Sequence, residues 1–131
     1  MVSMSYIPPD HNHLSPYLVV ENGTSLINFL VSLFDGQELL REVSDDGRIV
    51  HAEVKVFDTV VMLGEGGEGH APRTGVFHVY VSDCDEYVRR ALELAASLDR
   101  EPVTYPEGRR GSVIGPQGNT WALATLPQSP S

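Results

Sequence analysis

Residues 49–57 alternate with the period of a strand: Ala52, Val54 and Val56 fall on one face, and His51, Glu53 and Lys55 on the other. Upstream, Leu26, Ile27, Leu30, Leu33 and Phe34 recur at helical spacing and predict a helix over 25–34, with Asn22-Gly23-Thr24 as its turn and cap and Gly36 as its stop. Residues 14–20 read as a strand with Pro16 near its start, where a missing backbone donor is tolerated. A short strand follows over 37–43. Asp45-Asp46-Gly47 turns a hairpin because glycine accepts positive φ, and Asp58-Thr59 leads into a strand over 60–63. The first half is thus a strand, a helix and three strands.

Residues 64–75 contain five glycines and a proline with almost no apolar side chains, and predict a linker. Beyond it the order repeats. A strand over 76–81 precedes Ser82-Asp83, which cap a helix running to about Leu98 with Val88, Ala91, Leu92, Ala95 and Leu98 as its apolar stripe. Asp83, Asp85 and Glu86 complement the positive end of that helix. Strands over 102–105, 110–114 and 120–125 complete the second half. The organisation expected is an irregular arm (1–13), one domain (14–125: module one 14–63, linker 64–75, module two 76–125) and a frayed tail (126–131).

At 131 residues the chain is long enough to bury a core, and its 41% hydrophobic content is that of a globular domain. A net charge of -9 argues against nucleic acid and anionic membrane surfaces as partners, and serves solubility or attracts a cationic ligand. No apolar run approaches the roughly 20 residues that cross a bilayer. Residues 1–9 lack the basic and apolar regions of a signal peptide, so a cytoplasmic location is expected. Cys84 is the only cysteine, which excludes an intrachain disulfide and a cysteine-based zinc cluster.

Three segments carry a family resemblance: Pro16-Tyr17-Leu18-Val19-Val20-Glu21-Asn22-Gly23 with Ile27-Asn28-Phe29; Asp46-Gly47-Arg48-Ile49-Val50-His51-Ala52-Glu53-Val54; and Gly115-Pro116-Gln117-Gly118-Asn119-Thr120-Trp121-Ala122-Leu123-Ala124-Thr125. With the repeated element order they resemble the vicinal oxygen chelate superfamily, which includes glyoxalase I, bleomycin-resistance proteins, fosfomycin-resistance enzymes and extradiol dioxygenases. The closest likeness is to its small bacterial glyoxalase-like branch. The resemblance implies an α+β fold of two tandem βαβββ modules, forming cupped mixed sheets with the helices on the convex side, and a homodimer. Metal enzymes of the superfamily draw His, Gln or Glu ligands from the first and last strands of each module. Those positions correspond here to Ser15 or its neighbour, Met62, Val76 and Ala122, none a credible ligand, so the standard metal site is expected to be absent and no cofactor is implied. Where relatives carry a Gly-Asp-Arg-like segment, Glu107-Gly108-Arg109-Arg110-Gly111 lacks the aspartate. Gly115-Pro116-Gln117-Gly118-Asn119 stands in place of their Asp-Pro-x-Gly-His turn.

Strand parity assigns a cavity face to Tyr17, Val19, His51, Glu53, Lys55, Val60, Met62, Val76, His78, Tyr80, Ala122 and Ala124, and a helix-facing side to the residues between them, Trp121 included. The candidate ligand-binding set is Tyr17, His51, Glu53, Met62, His78, Tyr80 and Arg109, the arginine either meeting an anionic ligand or pairing on the surface with Glu107. His51, Glu53 and His78 stand open to two readings, a relocated three-ligand metal site or ordinary polar strand contacts. The function expected is binding or sequestration of a small organic molecule. The alternatives are a lyase, isomerase or tailoring enzyme, metal-dependent or metal-free, and a partner-binding module with a filled cavity.

Overall fold

The computed structural model describes residues 6–127; residues 1–5 of the expected arm and 128–131 of the expected tail lie outside them. The chain forms two compact units that divide between Arg73 and Thr74. Among the described residues, no helix is long and apolar enough to cross a membrane.

The first unit runs β1 (Tyr17–Val20), α1 (Gly23–Phe34), β2 (Gln37–Val43), β3 (Ile49–Val56) and β4 (Thr59–Glu65), with sheet order β1-β4-β3-β2. β1 pairs with β4 in parallel and the other neighbours are antiparallel. The second unit repeats this with β5 (Val76–Tyr80), α2 (Cys84–Glu93), β6 (Ser97–Tyr105), β7 (Gly108–Ile114) and β8 (Thr120–Thr125), ordered β5-β8-β7-β6. Each is a βαβββ module with a four-stranded mixed sheet, as the alternation and the element order predict.

Each helix covers one face of its own sheet. α1 buries Leu26, Ile27, Phe29, Leu30, Leu33 and Phe34, while Leu18, Val20, Ala52, Val54, Val61 and Leu63 supply the sheet side of that core. α2 is more polar and buries only Cys84, Val88 and Ala91, spaced on one stripe against Val113, Trp121 and Leu123. Both caps fall on the residues the sequence offers. Asn22 accepts from the Ser25 N–H at 3.0 Å and Asp83 from the Glu86 N–H at 3.2 Å.

The helix ends depart from the expectation. Asp35, not Gly36, takes the left-handed conformation after α1 (φ 53°). Gly36 is instead a close-approach position, where a Cβ would lie 3.0 Å from both the Leu30 carbonyl oxygen and Cγ1 of Val54. α2 stops at Glu93 because Ala95 adopts φ 70° and the Ala96 N–H returns to the Ala91 carbonyl (3.1 Å), closing a Schellman turn. Residues from Ser97 onward are thereby released to pair with β7, so Leu98 sits on a strand opposite Val113 rather than on the helix stripe. β4 also runs beyond 63 to take in Gly64 and Glu65.

Candidate functional site

With one face of each sheet covered by its helix, the side chains of alternate parity stand on an open face. In the first unit, register places Tyr17 beside Met62 and Met62 beside Glu53, one row across three strands. His51 lies two residues back on β3. Its Nε2 is 2.8 Å from Oε2 of Glu53, and its ring stacks on Tyr17 with centroids 5.7 Å apart. The Tyr17 ring extends over Gly64, where a Cβ would come within 2.6 Å of the phenolic oxygen. Tyr17, His51, Glu53 and Met62 therefore meet as the parity predicts, and Gly64, which the sequence placed in the linker, is the residue that gives the phenol room.

One neighbour of this group has no signal in the sequence pattern. His11, from the arm, brings its Nε2 within 3.0 Å of the other Glu53 oxygen. That contact has ion-pair distance but lies off the axis of a hydrogen bond. Glu53 thus bridges two imidazoles, and its carboxylate is spent on them.

In the second unit, His78 and Tyr80 stand on the open face of β5 with their rings edge to face at 4.8 Å. His78 registers with Ala122, Ala122 with Ser112 and Ser112 with Arg100. A cavity of about 430 Å³ opens beside this row, lined by Val76, Thr120 and Ala122, by Arg110 and Ser112 of β7, and by residues 99–101 of β6. Ser112 donates to Asp99 at 2.8 Å, and the Arg110 guanidinium lies 4.9 Å from the Tyr105 ring centroid.

Arg109 is placed differently from its expected role and its expected partner. Its parity on β7 is opposite to that of Arg110, so it turns to the helix side and forks onto Asp85 of α2, at 2.5 and 3.0 Å, with a further bond to the Thr104 hydroxyl at 2.8 Å. The bidentate bond raises the guanidinium's pKa and holds the Asp85 carboxyl below the usual carboxylate range. Arg110, rather than Arg109, is the cation that β7 turns to the open face. Strict alternation from Ser112 would have found it.

A second cavity of about 360 Å³ lies at the α2 start, lined by Arg109, Thr104, Thr125 and the Ser82–Asp83–Cys84 corner among others. Cys84 is only 2% exposed, and its Sγ donates to the Leu123 carbonyl at 3.2 Å. Burial first, and the Asp85 charge second, push this thiol above its ordinary range. We expect Cys84 in the native protein to react with an aromatic disulfide reagent at pH 8 at least about tenfold more slowly than in urea-unfolded chain, because only the thiolate attacks. The linked stability change has a definite sign. Below the ordinary thiol range both states keep the proton, whereas above it the unfolded chain ionises first and stability falls as pH rises. A native reaction rate equal to the unfolded one would refute this.

A divalent ion needs lone-pair donors. Of the four positions the resemblance assigns to ligands, Met62, Val76 and Ala122 present a thioether and hydrocarbon, and Ser15 precedes β1. Among the described residues, no three His, Cys, Asp or Glu side chains are grouped so as to hold a metal.

No protein-family model matches the chain. An uncharacterized protein of Mycobacterium bovis is 34% identical over 126 aligned positions, covering 84% of this chain and 80% of that protein. The anthracycline biosynthesis protein DauV of a Streptomyces species is 46% identical over 46 positions, covering 35% of this chain and 17% of DauV. Among solved structures, TioX of a Micromonospora species superposes with TM-score 0.74 at 24% identity, covering 88% of this chain and 99% of TioX. A glyoxalase-related enzyme of Fulvimarina pelagi gives TM-score 0.72 at 17% identity, over 91% of each chain. The fosfomycin resistance protein FosX of Listeria monocytogenes gives 0.73 at 14%, over 88% of this chain and 94% of FosX.

Proposed function

Because this chain belongs to the vicinal oxygen chelate superfamily, we propose that it is a small-molecule-binding protein that holds an organic ligand without the superfamily's metal. The observation that carries this reading is the exposure of large apolar and aromatic side chains on the open sheet faces. Tyr17 is 51% exposed, Val76 75% and Tyr80 64%, close to positions where a metal enzyme would keep ligand donors. Stranded surface of this kind marks binding sites. The residues present do not suit a divalent ion, so no chemistry is routed through one.

For ligand class, the short DauV likeness and the net charge of -9 both favour a planar aromatic molecule with a cationic group, of the anthracycline kind. The expected homodimer and cytoplasmic location belong to the same proposal. Calorimetric titration with an anthracycline should give a saturable 1:1 isotherm per chain. Tyr17→Ala should weaken it about tenfold, through lost aromatic contact. Heat indistinguishable from dilution with anthracyclines and other cationic aromatics would end this reading.

A second reading has one observation in its favour: His51 is oriented by Glu53, the arrangement of a general base and its positioning carboxylate. Mass spectrometry of the ligand after incubation separates the two. Unaltered ligand supports sequestration, and a product that vanishes with His51→Gln supports catalysis.

A further inference from the structure

Residues 8–13 fasten to the open face of the first sheet at three points. Asp10 pairs with Lys55 (3.2 Å), His11 with Glu53 (3.0 Å), and the Asn12 amide donates to the Asp58 carbonyl (2.8 Å). The segment is itself shaped for this: Pro8 and Pro9 stiffen it, the His11 N–H closes a turn onto the Pro8 carbonyl (3.2 Å), and Asp10 takes a left-handed φ of 71°. The His11 ring is fixed by its Nδ1, which donates to the Pro9 carbonyl at 2.9 Å. That leaves Nε2 for the carboxylate. Nε2 faces the Glu53 carboxylate at ion-pair distance.

Val60 shares the face of Lys55 by register and is fully buried, although the helix covers the opposite side. Lys55, the partner of Asp10, is its register neighbour, and Asp58 lies in the turn that leads to it. Tyr17, on the same face two strands along, stays half exposed.

We propose that residues 8–13 are a displaceable strap that occupies part of the ligand surface, and that a cationic ligand displaces it by taking the place of His11 on Glu53. This rests on the ligand-binding reading above. A flat aromatic ring already sits against the Glu53 carboxylate, and a planar cationic ligand offers it a ring and a charge. Glu53 keeps its position when His11 leaves, because His51 still bonds its other oxygen. Of the three anchors, Asp10–Lys55 is an exposed ion pair and contributes little. A closed fraction lowers the apparent affinity in proportion to the open population.

The test uses the full chain and the double variant Asp10→Ala/His11→Ala. Without ligand, amide exchange of residues 10–13 should be about tenfold faster in the variant. With an anthracycline, the variant should bind about three- to tenfold more tightly, and binding to the unaltered chain should accelerate exchange in the strap. Equal exchange in the two proteins overturns the strap. Faster exchange with equal or weaker affinity overturns its inhibitory role. If neither protein binds any cationic aromatic, the ligand-binding reading fails and the inhibitory role with it, while the exchange comparison still decides whether these pairs hold the segment down.

Discussion

Glu65→Ala is expected to destabilise the first unit by about 3 kcal/mol, read as a shift in its urea unfolding curve followed by circular dichroism. Glu65 ends β4, and its carboxylate takes two backbone donors from elsewhere: the Gly23 N–H at 2.7 Å through one oxygen and the Ile49 N–H at 2.8 Å through the other. Gly23 opens α1, whose first turn carries no acidic residue. The helix therefore lacks a local anion at its positive end, and a residue forty-two positions away supplies one. Asn22 accepts from the Ser25 N–H, a different donor from the two that Glu65 holds. Removing the carboxylate leaves two donors to find partners in a half-buried corner, and hydrogen bonds to charged groups are worth roughly 1.5–3 kcal/mol each. Glu65→Gln separates charge from shape. One amide oxygen still accepts, but the NH2 faces a donor, so an intermediate loss of about 2 kcal/mol is expected. A loss below about 1 kcal/mol for alanine would mean that water replaces the carboxylate.

The same residue illustrates what was legible in the sequence and what was not. Glu65 lies between glycines and was assigned to the linker, because composition describes a segment and not the reach of one side chain. Alternation did better. His51, Glu53 and Tyr17 were placed on one face correctly because a strand's parity depends on nothing beyond the strand. Parity separates Arg109 from Arg110 in the same way, once Ser112 is placed on the open face. The end of α2 is hidden in the sequence because Ala95 and Leu98 continue the helical spacing. The left-handed turn at Ala95 is made by a residue that gives no warning of it. The strap was invisible for a different reason. His11 sits in a proline-rich segment with no period, and its meeting with Glu53 is a tertiary contact across forty-two positions.

Gly108→Ala is the other substitution expected to cost most, about 3–4 kcal/mol in the second unit. Gly108 follows the turn after β6, faces Tyr105 across the hairpin and has φ 140°, a region nearly closed to residues with a Cβ. A Cβ there would lie 2.4 Å from the Thr125 carbonyl oxygen, which is backbone of β8 and cannot swing aside as a side-chain tip would. Relief requires β7 to rotate or to move off β8. Either motion disturbs Arg109 on Asp85 and Arg110 over Tyr105, so the fork and the cation–ring contact should be lost together. Gly47→Ala is the control. It has φ 87° but nothing within 4 Å of the added carbon, so it suffers backbone strain alone, about 1 kcal/mol. The excess for Gly108 over Gly47 in matched urea titrations measures the clash with β8. Equal losses would show that the β7–β8 pair yields freely, and that Gly108 matters only for its torsion angle.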